Sequence, residues 1–199
     1  MAITINGNGT VTGISVGGLP DGIVDTDMLA ADAVTSAKIG AKTFISYAAV
    51  CDKKAYNADG GGAAATTWQQ RDLNHELFDP DGIVSLSSNH FVLQAGTYLI
   101  KWKAPVYSVN RHVTELVTVA SSGTGAATRV AIGDTNYASS GGTSPDNSVG
   151  VHRITIGAET YFAIKHYTSS AKTGNGLGVQ SEVSGTDSIY TMVEIYKEA

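Results

Sequence analysis

The sequence predicts an all-β fold, a sandwich or barrel of many short strands, and three observations predict it. Charged residues make up 16% of the chain, against about 25% in a typical globular domain. Gly reaches 23 of 199 residues while Pro stops at 4, and Ser and Thr are frequent, a composition suited to many short strands joined by tight turns. From residue 43 onward apolar and polar residues alternate in short runs with no helical period. The length suits one medium domain plus a small extra segment, large enough to bury a core without disulfides. Cys51 is the single cysteine, so no intrachain bridge is available and the fold does not depend on an oxidising compartment.

The elements follow in order. Residues 1–41 contain no aromatic residue, and a core is hard to build without large side chains. Ile3 to Gly18 alternates Gly with β-branched residues and can extend or pair. A ten-residue repeat comes next, with Gly22–Ala31 aligning on Asp32–Ala41 so that Val24 matches Val34, Thr26 matches Ser36 and Leu29 matches Ile39. Two readings stand side by side for it: apolar edges that bury one another when three copies meet around an axis, or one short helix over Asp25–Lys38 capped by Asp25 or Thr26. Both need a partner surface.

The domain over 43–199 opens with a strand at Thr43–Val50. A Gly/Ala loop, Ala58–Thr67, leads to a second strand region over Thr66–Glu76. Asp79-Pro80-Asp81-Gly82 is a turn with Pro at its second position. Strands are expected at Ile83–Ser85 and Phe91–Gln94. Thr97–Val106 is the strongest, with Tyr98, Ile100 and Trp102 on one face. Arg111–Val119, Thr128–Ala131, Ser148–Ile156, Tyr161–Tyr167 and Ile189–Tyr196 complete the set, separated by turns at Ser121–Gly125, Ser139–Asn147 and Lys172–Gly178.

Motifs for chemistry are weak. Gly13-Ile14-Ser15-Val16-Gly17 matches the hydrolase G-x-S-x-G pattern, but Gly17-Gly18 and Pro20 deny it the following helix that the chemistry requires. His75, His90, His112, His152 and His166 lack metal-site spacing, and the reading is polar surface or a satisfied hydrogen bond. No EF-hand loop surrounds Asp79–Gly82, and Gly174–Gly178 reads as a turn with positive-φ positions rather than a dinucleotide fingerprint. The acidic groups Glu76/Asp79/Asp81 and Glu182/Asp187 read as turns, not as the paired carboxylates of a glycan hydrolase. Neither a cofactor nor a metal is expected, and no catalytic residue is assigned. The formal net charge of −5, with Lys53-Lys54 as the densest basic stretch and read as a solvated turn, argues against nucleic acid as a partner. Met1–Asn6 lacks the basic end and apolar run of a signal peptide. No run nears the roughly 18 apolar residues of a membrane span, so synthesis in a cytosol without membrane insertion is expected.

Two stretches carry resemblances. Ile83 to Ile100, with Phe91, Leu93, Gly96, Tyr98 and Ile100, is similar to the strand pattern of complement-head and tumour-necrosis-factor-type jelly rolls, and the aromatic last strand Ile189–Tyr196 matches in place. That resemblance covers residues 43–199 and implies a jelly-roll head assembled as a homotrimer. The nine tyrosines are compatible with such an interface. Gly18–Gly22 followed by Asp27–Ala30 and Ala33–Ile39 resembles segments of phage tail-fibre and other structural proteins. Together they imply a non-enzymatic virion-surface protein. Residues 1–41 would bind other virion proteins, and 43–199 would contact a host-surface glycan or protein. A capsid decoration or head-fibre role, and a soluble lectin-like module, are the alternatives. The loops Ala58–Thr67, Ser121–Thr128, Ser139–Asn147 and Ala171–Gly178 are the candidate outer contacts. Trp68 and Tyr137, in or beside them, are the candidate receptor contacts, with core or trimer packing as their competing role.

Overall fold

The computed structural model describes Thr4–Ile5, Val11–Thr12 and residues 44–120 and 126–199. The chain divides into two units, Met1–Lys42 and Thr43–Ala199. In the first, β1 (Thr4–Ile5) pairs antiparallel with β2 (Val11–Thr12), as the Gly/β-branched pattern allows. The ten-residue repeat, the helix alternative over 25–38 and the G-x-S-x-G stretch lie outside the described residues.

The second unit is β throughout: β3 (Phe44–Lys54), β4 (Trp68–Gln70), β5 (His75–Phe78), β6 (Val84–Ser87), β7 (His90–Leu93), β8 (Gly96–Tyr107), β9 (Asn110–Val119), β10 (Thr128–Ala138), β11 (Pro145–Ile156), β12 (Thr160–Thr168) and β13 (Ser188–Glu198). One sheet runs β11-β8-β13-β3-β5, and the other runs β10-β9-β12-β7-β6 with β4 on the same edge of β12. Every pair within them is antiparallel.

Alternation makes each strand two-faced, and the inward faces form one core. Tyr98, Ile100 and Trp102 of β8 and Val193 and Ile195 of β13 face Phe91, Leu116, Phe162 and Ile164 of the other sheet. The Phe91 and Phe162 rings stack at 5.3 Å and 17°. The one indole in this core is satisfied across the sandwich: Trp102 Nε1 donates to Thr114 Oγ1 at 2.8 Å, Thr114 Oγ1 meets Ser148 Oγ at 2.7 Å, and Ser148 Oγ donates to the Asp134 carbonyl at 2.8 Å. A buried polar chain with every member paired ties the sheets in register rather than costing stability.

Several boundaries differ from the sequence reading. The region 66–76 is broken at residues 71–74: Arg71 N still donates to the Ile164 carbonyl at 2.8 Å, while its side chain is buried. β10 runs on to Ala138 rather than ending at Ala131, because register shifts on either side of Ile132 carry the pairing past Gly133. The turn at Ser139–Asn147 is shorter, since Pro145, Asp146 and Asn147 already pair with Tyr107, Val106 and Pro105. Lys53 and Lys54 end a strand instead of forming a solvated turn, with Lys53 Nζ 2.8 Å from Asp187 and Lys54 Nζ 2.6 Å from Asp72. The Asp79–Gly82 turn stands as read: Gly82 N donates to the Asp79 carbonyl at 3.4 Å, and the Asp79 carboxylate accepts Ile83 N and Val84 N, both at 2.9 Å.

The register assigns each loop to an end. β3 begins and β13 finishes at one end, where Phe44 pairs with Glu198. The β3–β4, β8–β9, β10–β11 and β12–β13 connections all gather at the other.

Candidate functional site

Three of the four loops named from the sequence meet at that second end. Gly60 N donates to the Gly178 carbonyl at 2.9 Å, Ala63 N to Lys172 at 2.8 Å, Tyr107 N to Gly176 at 3.0 Å and Ser108 N to Ser144 at 3.0 Å. A small apolar cluster of Ala63, Val106, Val109, Ala138 and Leu177 sits beneath them. Gly178 is needed here: its φ is +135°, and a Cβ would lie 2.3 Å from Tyr190 Cδ1. The loop is therefore pinned rather than free. The fourth loop leaves β9 at the opposite end, where Val119 pairs with Tyr161, and residues 121–125 lie outside the described residues.

Trp68 and Tyr137 are both at the pinned end and share the outer face of one sheet. Trp68 pairs with Tyr167, Tyr167 with Val113, and Val113 with Thr135, while Tyr137 pairs with Arg111 one row on. Directly opposed residues point the same way, and inward Thr114 fixes Arg111, Val113 and Glu115 as outward. The two named aromatics are thus three strands and one row apart, about 16 Å at the usual strand and residue spacings. Trp68 is half-buried, its ring 5.6 Å from that of Tyr167 and 5.4 Å from the Arg129 guanidinium. Tyr137 is 58% exposed. Arg129 Nε donates to Glu115 Oε2 at 2.5 Å.

A second surface was not named from the sequence. The outer face of β11-β8-β13-β3-β5 is apolar where solvent-facing strands are usually polar. Phe44, Phe78 and Val151 stay 49%, 52% and 59% exposed. Tyr47 contacts Phe78 at 5.8 Å and Tyr196 at 4.9 Å, and Phe44 contacts Tyr196 at 5.2 Å. Beside this aromatic strip, Lys101, Lys103, Val149, Val151, Met192 and Glu194 line a groove of about 490 Å³. The hydroxyls of Tyr47 and Tyr196 both reach Glu194 Oε1 at 3.2 Å. Burial, then the Glu194 charge, pushes the Tyr47 phenol up to about 12.

Two histidines meet in the interior: His112 Nδ1 lies 3.1 Å from His166 Nε2, and each residue is 1% exposed. Burial holds His112 below the ordinary imidazole value and His166 well below it, with Arg71 and His112 adding to the effect at His166. Asp146 Oδ2 stands 3.6 Å from His112 Nε2. That carboxylate favours the tautomer with the proton on Nε2 of His112, so Nδ1 accepts from His166 Nε2, and His166 Nδ1 is buried without a hydrogen-bond partner. Arg71 itself is buried and donates to Thr191 Oγ1 at 2.7 Å, the Pro105 carbonyl at 3.2 Å and the Leu177 carbonyl at 2.7 Å. The Arg71 bonds brace the loop end. Neither this buried cation nor the histidine pair, 54 residues apart, left a trace in local sequence.

Among the described residues no group of three or more His, Cys, Asp and Glu side chains could hold a metal ion. Asp79 is spent on its turn and Asp187 on Lys53. Cys51 is buried, and burial raises its thiol to about 11, which suppresses the reactive thiolate.

No protein-family model and no curated protein sequence matches the chain. Solved structures do. Eiger TNF from S. frugiperda is 11% identical, with 77% of this chain and 92% of that one covered at a TM-score of 0.51. The globular domain of a zebrafish complement 1qA protein is 13% identical over 76% and 95% at 0.47, and murine APRIL is 8% identical over 76% and 98% at 0.49. The likeness to Eiger TNF is one of fold, and the fold of residues 43–199 is the antiparallel β-sandwich jelly roll expected from the sequence.

Proposed function

We propose that the chain is a non-enzymatic, homotrimeric structural protein on the surface of a bacteriophage particle. Its jelly-roll head contacts the host surface, and residues 1–41 attach it to other virion proteins. The observation that carries the trimer is the apolar outer face of β11-β8-β13-β3-β5. A strip of Phe44, Tyr47, Phe78 and Tyr196 beside Val149 and Val151 is larger than scattered surface apolar residues explain, and such patches mark association sites. Lys101 and Glu194 border it with both signs of charge, so the face can be matched by another copy of the same chain. The complement-head and tumour-necrosis-factor-type likeness supports the same arrangement. The phage address rests on the resemblance of residues 18–39 to phage structural segments. Three heads on one fibre multiply weak contacts through effective concentration.

Light scattering on the purified protein tests the trimer. The expected mass is three times the 20.6 kDa chain, and Val149→Glu with Val151→Glu should give a folded protein of lower mass. A wild-type monomer removes the reading.

A further inference from the structure

We infer that the outer face of the β10-β9-β12-β4 strands, at the pinned loop end, binds an anionic polysaccharide. This deepens the attachment reading and rests on it. The chain is acidic, with a formal net charge of −5, yet the outward positions of this face are basic. Arg111 stands at the loop end opposite Tyr137, Lys165 lies mid-strand between Glu115 on β9 and Gln70 on β4, and Arg129, from the far end of β10 opposite Val117, reaches back to set its guanidinium over Trp68; Glu115 is their acidic neighbour. Glu115 is 5% exposed and its charge is taken by Arg129, whose side chain remains 52% exposed. Asp134, near the same edge, keeps its charge but directs its carboxylate to Val149 N of β11 and to Asn136 Nδ2.

Aromatic rings interleave with these cations. Trp68 and Tyr167 form a contiguous pair, and Tyr137 stands clear of them one row away. Sugar rings present C–H faces that lie on aromatic side chains, while carboxylates on the same polymer accept hydrogen bonds from guanidinium and ammonium groups. A spacing of about 16 Å between Trp68 and Tyr137 asks for a ligand longer than one ring. The Arg129 guanidinium over the Trp68 ring serves both parts, since it holds the indole in place and keeps free donors at its edge. The strands that carry the face are pinned by the loop contacts, so little ordering cost opposes binding.

The test titrates the full-length protein with polygalacturonate oligomers, neutral dextran and duplex DNA, following tryptophan fluorescence. Trp102 is buried and paired, so Trp68 reports. Saturable quenching by polygalacturonate alone, weakening with salt, is expected. Trp68→Leu should abolish the quenching. Arg111→Gln with Lys165→Gln, which leaves the Arg129–Glu115 ion pair in place, should weaken binding at least about tenfold, measured by calorimetry. No binding of polygalacturonate, equal binding of DNA, or binding indifferent to these substitutions overturns the inference. Protein that adheres to bacterial cells yet ignores polygalacturonate overturns it while leaving attachment standing. Protein that binds polygalacturonate but adheres to none of a panel of bacterial cells supports the site and removes attachment instead.

Discussion

Gly150 is the position at which one added carbon should cost most. It pairs with Trp102 across β11 and β8. A Cβ there would lie 2.0, 2.3 and 2.4 Å from Cζ2, Cε2 and Cη2 of the indole, well inside any real contact. The indole cannot yield freely, because it is 2% exposed and held at Thr114 Oγ1. Gly150→Ala therefore forces one of two moves. Displacing the ring strains the core by about 1–3 kcal/mol and strips the buried N–H of its acceptor for about 1–3 kcal/mol more. Pushing β11 outward spares the ring but breaks ladder bonds at the sheet edge. The expected loss is about 4 kcal/mol, a large part of a stability of about 5–15 kcal/mol. Guanidinium unfolding at fixed protomer concentration measures it, since an oligomer's stability moves with concentration. The same change in a Trp102→Leu background should cost under about 1 kcal/mol, because the clashing ring is gone. A loss below about 1 kcal/mol in the wild-type background, or an equal loss in both backgrounds, would refute the reasoning.

Three further outcomes are expected. Arg71→Met leaves Thr191 Oγ1 and the Pro105 and Leu177 carbonyls without their donor, costing about 3–5 kcal/mol. By removing a positive neighbour it also raises the His166 pKa, which imidazole NMR can follow where the variant remains folded. Because burial holds both interior histidines below 6.5, the unfolded chain binds protons there that the folded one refuses. Their contribution is fully present above about pH 6.5 and is lost as pH falls below it; His166→Gln should flatten that acid limb of a denaturation series, and an unchanged slope counts against the assignment. Asp79→Ala removes the acceptor for Ile83 N and Val84 N and should cost about 1–3 kcal/mol, read as a lower thermal midpoint, while Asp79→Asn should keep part of it.

Strong alternation made β8 legible, because Tyr98, Ile100 and Trp102 announce an inward face by themselves. β11 shows where that logic stops. Its sequence offers Val149 and Val151 as an apolar face, yet the register sets Gly150 against Trp102 and turns both valines outward, so the association face was hidden by the same pattern that reveals a core. The true ends of β10 were obscured by Gly133 and Asp134, which break the alternation where the strand bulges. Trp68 and Tyr137 could be named as aromatics beside loops. That they share a face with Arg111, Arg129 and Lys165 depends on pairing among four strands distant in sequence. The burial of Arg71, His112 and His166 is set wholly by such pairing, and buried polar groups carry no local period to betray them.

The place of β13 has a consequence for how the molecule is made. This strand, the last of the unit in chain order, lies between β8 and β3 in the middle of its sheet. While the ribosome is still translating residues 55–187, those two strands have no common neighbour, and the apolar row meant for Val193 and Ile195 stays open. The sheet cannot close by growing outward from its first hairpin; it waits for its keystone. Folding of the head is then a late event, completed after residue 198 clears the exit tunnel. A chain cut short before Ser188 should remain a client of chaperones rather than a smaller version of the same domain.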